Sequence, residues 1–204
     1  MSKAILDINP EALSYRIAFS YKLKQLVSCL VNMKMEIVHD KNYSSWYYDF
    51  TQEQKETFLP LWNMTLGRML QLFATEALRE NFDEDIWVKA LAQIIVDNHM
   101  RYKESRDTYL FIPDWRFPNE IKLKQYIKEL IADSDLRVEC CYVKVHRKID
   151  VDEQKGGREI EHSSENSLGD ANCSLIDNNG TLEELFNECK SYAKNEIYPS
   201  TNAG

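Results

Sequence analysis

The stretch Thr108-Tyr-Leu-Phe-Ile-Pro-Asp-Trp-Arg-Phe-Pro-Asn-Glu120 decides the fold. Its first part, Tyr109 to Ile112, is apolar without polar alternation, the pattern of a strand covered on both faces in a parallel sheet. Pro113 and Asp114 stop the run, Arg116 follows, and Pro118 opens a helical pattern at the one place where a missing N–H costs nothing. A carboxylate and a guanidinium therefore stand where a strand ends and a helix begins. In open α/β sheets that carboxyl edge receives ligands. An Asp there can hold Mg²⁺ or its water shell, and an Arg can grip phosphate through two parallel hydrogen bonds. The plainer alternative is that Asp114 caps the helix and pairs with Arg116.

Downstream, Leu123, Ile127 and Leu130 give the helix of about 118–132 a buried stripe, and Leu136 to Val145 reads as the next strand. Strand, helix, strand in that order predicts two parallel strands, Tyr109–Ile112 and Leu136–Val145, in one sheet. Residues 149–172 are rich in Asp, Glu, Gly, Ser and Asn with few apolar anchors, which predicts a mobile lid or a disordered segment. Cys173 to Ile176 reads as a last strand. Thr181 and Glu184 form a capping box for a final helix with Leu182, Leu185, Phe186 and Cys189 inward.

Upstream, residues 3–8 read as the end of a helix and Tyr15 to Phe19 as a strand. A helix follows from Tyr21 to about Val38, with Leu23, Leu26, Val27, Leu30 and Val31 inward. Lys22 and Lys24 stand at its start, against the macrodipole preference, which suits a nearby anion or simple solvation. Residues 39–52 read as a loop and 52–62 as a short helix weakened by Pro60. Further helices begin at Thr65 and at Asp83.

The whole chain has 204 residues, 44% of them hydrophobic and 28% charged, which suits a single α/β domain over 1–204. A net charge of −8 argues against general nucleic-acid binding and leaves room for a local phosphate pocket. Five cysteines without a Cys-x-x-Cys pair fit neither a disulfide framework nor a zinc site, so reduced thiols in a cytoplasm are expected. No apolar run reaches the roughly 20 residues of a membrane span, and the start is too short and acidic for a signal peptide.

Four separated segments resemble the phage-type deoxynucleoside monophosphate kinases, a branch of the P-loop kinases. They are Tyr15-Arg-Ile-Ala-Phe-Ser-Tyr-Lys-Leu-Lys24; Arg68-x-x-Gln71 with Ala74-Thr75-Glu76 and Trp87-Val88; Asp114 to Glu120; and His162-x-Ser-Glu165 with Asp177-Asn-x-Gly-Thr-Leu-Glu-Glu-Leu185. The resemblance implies a three-layer P-loop-kinase-like fold with a mostly parallel sheet. It also implies transfer of the ATP γ-phosphoryl to a deoxynucleoside monophosphate, with ATP and Mg²⁺ as cofactors. By position, Asp114 and Arg116 would be catalytic, with Asp114 in the Mg²⁺ shell. Lys22, Arg68, Arg79, Arg116 and Glu120 would bind the acceptor. Arg147, His162 and Glu165 would belong to a lid over ATP. A homodimer is compatible with this reading, as is residence in a host's cytoplasm if the chain is phage-encoded. The family's first strand and its Gly-x-x-x-x-Gly-Lys loop are missing, since the first glycine is Gly67. Three expectations therefore stand side by side: an N-terminally incomplete kinase, a catalytically degenerate relative that binds nucleotide or a protein partner, and an acidic interaction protein that keeps the fold.

Overall fold

The apolar run of the central stretch does form a strand, and its partner comes from the far side of the sequence. In a computed structural model describing residues 1–39, 43, 47–101, 107–132, 138–146 and 173–199, β1 (Leu13–Arg16) pairs in parallel with β6 (Thr108–Phe111). Between them come α2 (Tyr21–Val31), the antiparallel pair β2 (Glu36–Val38) and β3 (Tyr47–Asp49), and α3 (Gln52–Glu56). The hairpin β4 (Phe58–Leu59) and β5 (Met64–Thr65) follows, then α4 (Leu66–Gln71) and α5 (Ile86–Arg101). After β6 run a 3₁₀ turn at Pro118–Lys122, α6 (Leu123–Leu130) and β7 (Val143–His146), which pairs in parallel with β8 (Ser174–Asp177). The helix α1 (Ser2–Ile8) opens the chain, and α7 (Leu182–Tyr192) comes last before a π-helical turn at Ala193–Ile197. The molecule is mixed α/β with short parallel sheets.

The main core gathers Leu23 and Val27 of α2, Leu66, Met69 and Leu70 of α4, Trp87, Val88, Leu91 and Ile95 of α5, and Leu123 and Ile127 of α6. A smaller cluster joins Ala4, Ile176 and Cys189, so α1 and α7 share one face of the second parallel pair.

Several sequence expectations are corrected. The strands at 109–112 and 136–145 do not share a sheet: β6 pairs with β1 and β7 with β8. Each is parallel, but each retains an edge with no strand partner among the described residues. Consequently Leu110, expected to be covered on both faces, is 40% exposed. Strand β7 begins only at Val143, because the residues before it are turned toward α6: the Tyr142 hydroxyl donates to Ile121 O and Lys124 pairs with Glu139. The helix α2 ends at Val31 rather than near Val38, since Asn32 adopts a left-handed conformation (φ 52°) and closes it. Its stripe is narrower than expected, with Leu26 and Leu30 45% and 42% exposed. The expected loop at 39–52 contains β3, and the helix expected over 52–62 stops at Glu56. Pro60 then begins a 3₁₀ turn and Asn63 (φ 51°) completes the hairpin. In α7 the capping box of Thr181 and Glu184 is present, but Leu182 is 82% exposed and only Cys189 of the expected stripe is fully buried. No helix among the described residues is long and apolar enough to cross a membrane.

Candidate functional site

The parallel pairing of β1 with β6 brings the chain leaving Arg16 beside the chain leaving Phe111, and Ile17 N–H donates to Phe111 O at 3.0 Å to extend the contact. Both carboxyl ends thus open on the same edge. Asp114 fastens the two. One carboxylate oxygen accepts from Phe19 N–H at 2.9 Å, and the other from Ser20 N–H at 3.2 Å and the Ser20 hydroxyl at 2.9 Å. Ser20, at the N-cap position of α2, makes no capping bond of its own, and Asp114 holds its amide and hydroxyl across the sheet edge. The expected cap on the helix after Asp114 is not what the structure shows: its carboxylate bonds the residues leading into α2 instead.

This use of Asp114 bears on the Mg²⁺ expectation. Both oxygens already accept N–H or O–H donors, which is unlike an open carboxylate waiting for a cation. Among the described residues no three His, Cys, Asp or Glu side chains converge as a metal set. Asp114 is thus already used inside the protein to join two segments. Replacing Asp114 by alanine should leave the Phe19 and Ser20 amides unsatisfied and destabilise the fold by about 2 kcal/mol, whereas asparagine, which keeps an acceptor, should cost about half as much. Urea unfolding of the two variants checks the order.

Behind this edge lies a second node. Glu120 is buried, 2% exposed. Its Oε2 accepts the backbone N–H of Arg116 at 2.7 Å and of Phe117 at 3.1 Å, and its Oε1 accepts from Arg79 at 3.2 Å. Burial pushes its carboxyl above the ordinary range despite these three donors. Arg79 also donates to Asn119 Oδ1 at 3.2 Å and lies over the Phe117 ring at 3.8 Å, while its buried Nε has no partner among the described residues. Asn119 in turn donates to Asp85 at 2.7 Å, as do Lys122 at 2.8 Å and the Tyr126 hydroxyl at 2.7 Å. Burial works to raise Asp85, but these hydrogen bonds together outweigh it and hold that carboxyl below its usual value. The segment 114–122 is thereby fixed to α5 as well as to α2.

The sequence-predicted site residues separate accordingly. Arg116 is exposed at the sheet edge, with its backbone anchored by Glu120. Lys22 is exposed on the first turn of α2. Arg79 and Glu120, expected to touch an acceptor, instead bond each other inside the protein. Arg68 is exposed and pairs with Glu76 at 2.8 Å, and none of its contacts among the described residues joins it to the node. Arg147, His162 and Glu165, and the expected lid over 149–172, lie outside the described residues. The segment Ala74-Thr75-Glu76 falls in a π-helical turn, Leu72–Ala77, whose Ala74 carbonyl accepts from the Trp87 indole at 2.9 Å.

Sequence reasoning did not single out Arg16 or the aromatic residues around it. Arg16 lies over the Tyr47 ring at 4.0 Å, and Tyr43 meets the Phe111 ring edge-on at 5.8 Å. The available signal was a basic residue at the end of a strand, which gains meaning only once β1 is known to pair with β6. No protein-family model matches this chain, and no curated protein matches it in sequence.

Proposed function

We propose that the chain binds a deoxynucleoside monophosphate at the carboxyl ends of β1 and β6, and that it is a nucleotide kinase of the deoxynucleoside monophosphate type. The observation that carries this reading is the placement of Arg16, Lys22 and Arg116 along that edge of a protein with net charge −8. Cations held at strand ends and a helix start suit a phosphate. In the reaction, an oxygen of the acceptor phosphate attacks the ATP γ-phosphorus, the bond to ADP breaks, and the acceptor leaves as the diphosphate. Catalysis of this kind is mostly positioning and charge neutralisation. Arg116 would hold the acceptor phosphate, and Glu120 and Asp114 would keep its loop in place. Arg147, His162 and Glu165, outside the described residues, would serve ATP.

A second reading is favoured by a specific observation: Asp114, Arg79 and Glu120 are all bonded within the protein. That pattern suits a relative that binds nucleotide, or a protein partner, without phosphoryl transfer. A coupled ADP-release assay with ATP, Mg²⁺ and each deoxynucleoside monophosphate separates the two readings. Turnover with one or more acceptors supports the kinase. Binding by calorimetry without turnover supports the degenerate relative, and neither binding nor turnover removes both nucleotide readings.

A further inference from the structure

Arg16 and Phe111 are register partners in a parallel pair, so their side chains leave the same face of the sheet at its carboxyl end. Each meets an aromatic ring: Arg16 lies 4.0 Å over Tyr47, and Phe111 meets Tyr43 at 5.8 Å with 60° between the ring planes. The two contacts arise from register partners at the carboxyl end of the same strand pair. Other half-buried cations near the core are matched by acids, Arg79 by Glu120 and Lys24 by Asp49. Among the described residues no carboxylate pairs with the Arg16 guanidinium, although the chain carries 33 acidic residues against 25 basic ones. A guanidinium held over a ring has its charge positioned by the ring while N–H donors remain to meet an anion. Because stacking has already restricted its rotamers, little further ordering is lost when an anion binds.

We infer that Arg16, held over the Tyr47 ring, grips a phosphate monoester, and that the Tyr43–Phe111 pair is the wall against which the nucleoside end of the same ligand lies. This inference rests on the nucleotide-binding reading for its ligand, and on the Arg16–Tyr47 geometry for its site. Stacking on aromatic side chains tolerates any base, so the wall supplies affinity without choosing among bases.

The test is calorimetric titration of inorganic phosphate, deoxythymidine and the four deoxynucleoside monophosphates into the wild-type chain, Arg16→Ala, Arg16→Lys and Tyr47→Leu, with thermal melts of each. Arg16→Ala should weaken phosphate and monophosphate binding by about tenfold or more and leave deoxythymidine binding unchanged. Arg16→Lys, which keeps charge but loses the planar fork, should recover part of the loss. Tyr47→Leu should also weaken phosphate binding, because the guanidinium is no longer held. Undiminished monophosphate binding in both Arg16 variants overturns the inference and leaves the nucleotide reading intact. Phosphate binding that depends on Arg16, with no monophosphate bound, overturns the nucleotide reading and leaves the Arg16 site standing. A wild-type chain that binds neither phosphate nor monophosphate overturns both.

Discussion

Replacing Glu120 by alanine is expected to destabilise the fold by about 4 kcal/mol, because it strips the carboxylate from a nearly buried Arg79 and leaves two loop amides without an acceptor. Glutamine should cost somewhat less, about 3 kcal/mol: its carbonyl still accepts from Arg116 and Phe117, but its NH₂ faces the Arg79 donor. The two variants also differ from the wild type in their response to pH. Burial raises the Glu120 carboxyl above its ordinary value of 4.5 in the folded protein. Between 4.5 and that raised value the folded chain holds more protons than the unfolded one, so this group makes stability fall as pH rises through the window. Glu120→Gln lacks the titrating group and should lose that part of the slope. Urea unfolding from pH 4 to 7 in both proteins measures the difference, and identical slopes would show that the three donors offset burial in full.

The second large effect concerns binding. Arg116→Ala is expected to weaken deoxynucleoside monophosphate binding by ~2 kcal/mol, about thirtyfold in Kd, with little change in thermal stability. The separation of the two readouts follows from the structure. The Arg116 backbone is held by Glu120 whatever its side chain is, while the side chain itself is exposed. Arg116→Lys should fall between wild type and alanine, since lysine retains the charge without the bidentate fork. Equal affinity in all three proteins would mean that Arg116 has no part in phosphate binding.

How much of this was legible in the sequence depends on the range of the interactions involved. Local signals read correctly. Thr65 and Thr181 cap the helices that follow them, and Pro118 opens a helical turn. What failed was long-range. Nothing near Leu110 announces that β6 pairs with β1 and keeps its other edge without a strand. Apolar runs specify a wish for burial, not the neighbour that provides it. The candidate site shows the same division. Asp114 and Arg116 could be placed at a strand end because strand end and helix start are adjacent in sequence. Arg79 and Glu120 were assigned to ligand contact because their mutual bond spans 41 residues. Arg16 passed unnoticed because its partner Tyr47 is placed by a separate hairpin.

The link that Asp114 provides has a consequence for the order in which the chain acquires structure. The donor and acceptor are 94 residues apart, so closing that loop costs the unfolded chain on the order of 4 kcal/mol in entropy. A contact this distant is won late, after the helices between have begun to pack. During synthesis, the start of α2 leaves the ribosome long before its acceptor does. Until Asp114 emerges and β6 docks on β1, the Phe19 and Ser20 amides leading into that helix lack this acceptor. Loss of the link should then speed unfolding while leaving the folding rate nearly unchanged, since the interaction is absent when the barrier is crossed.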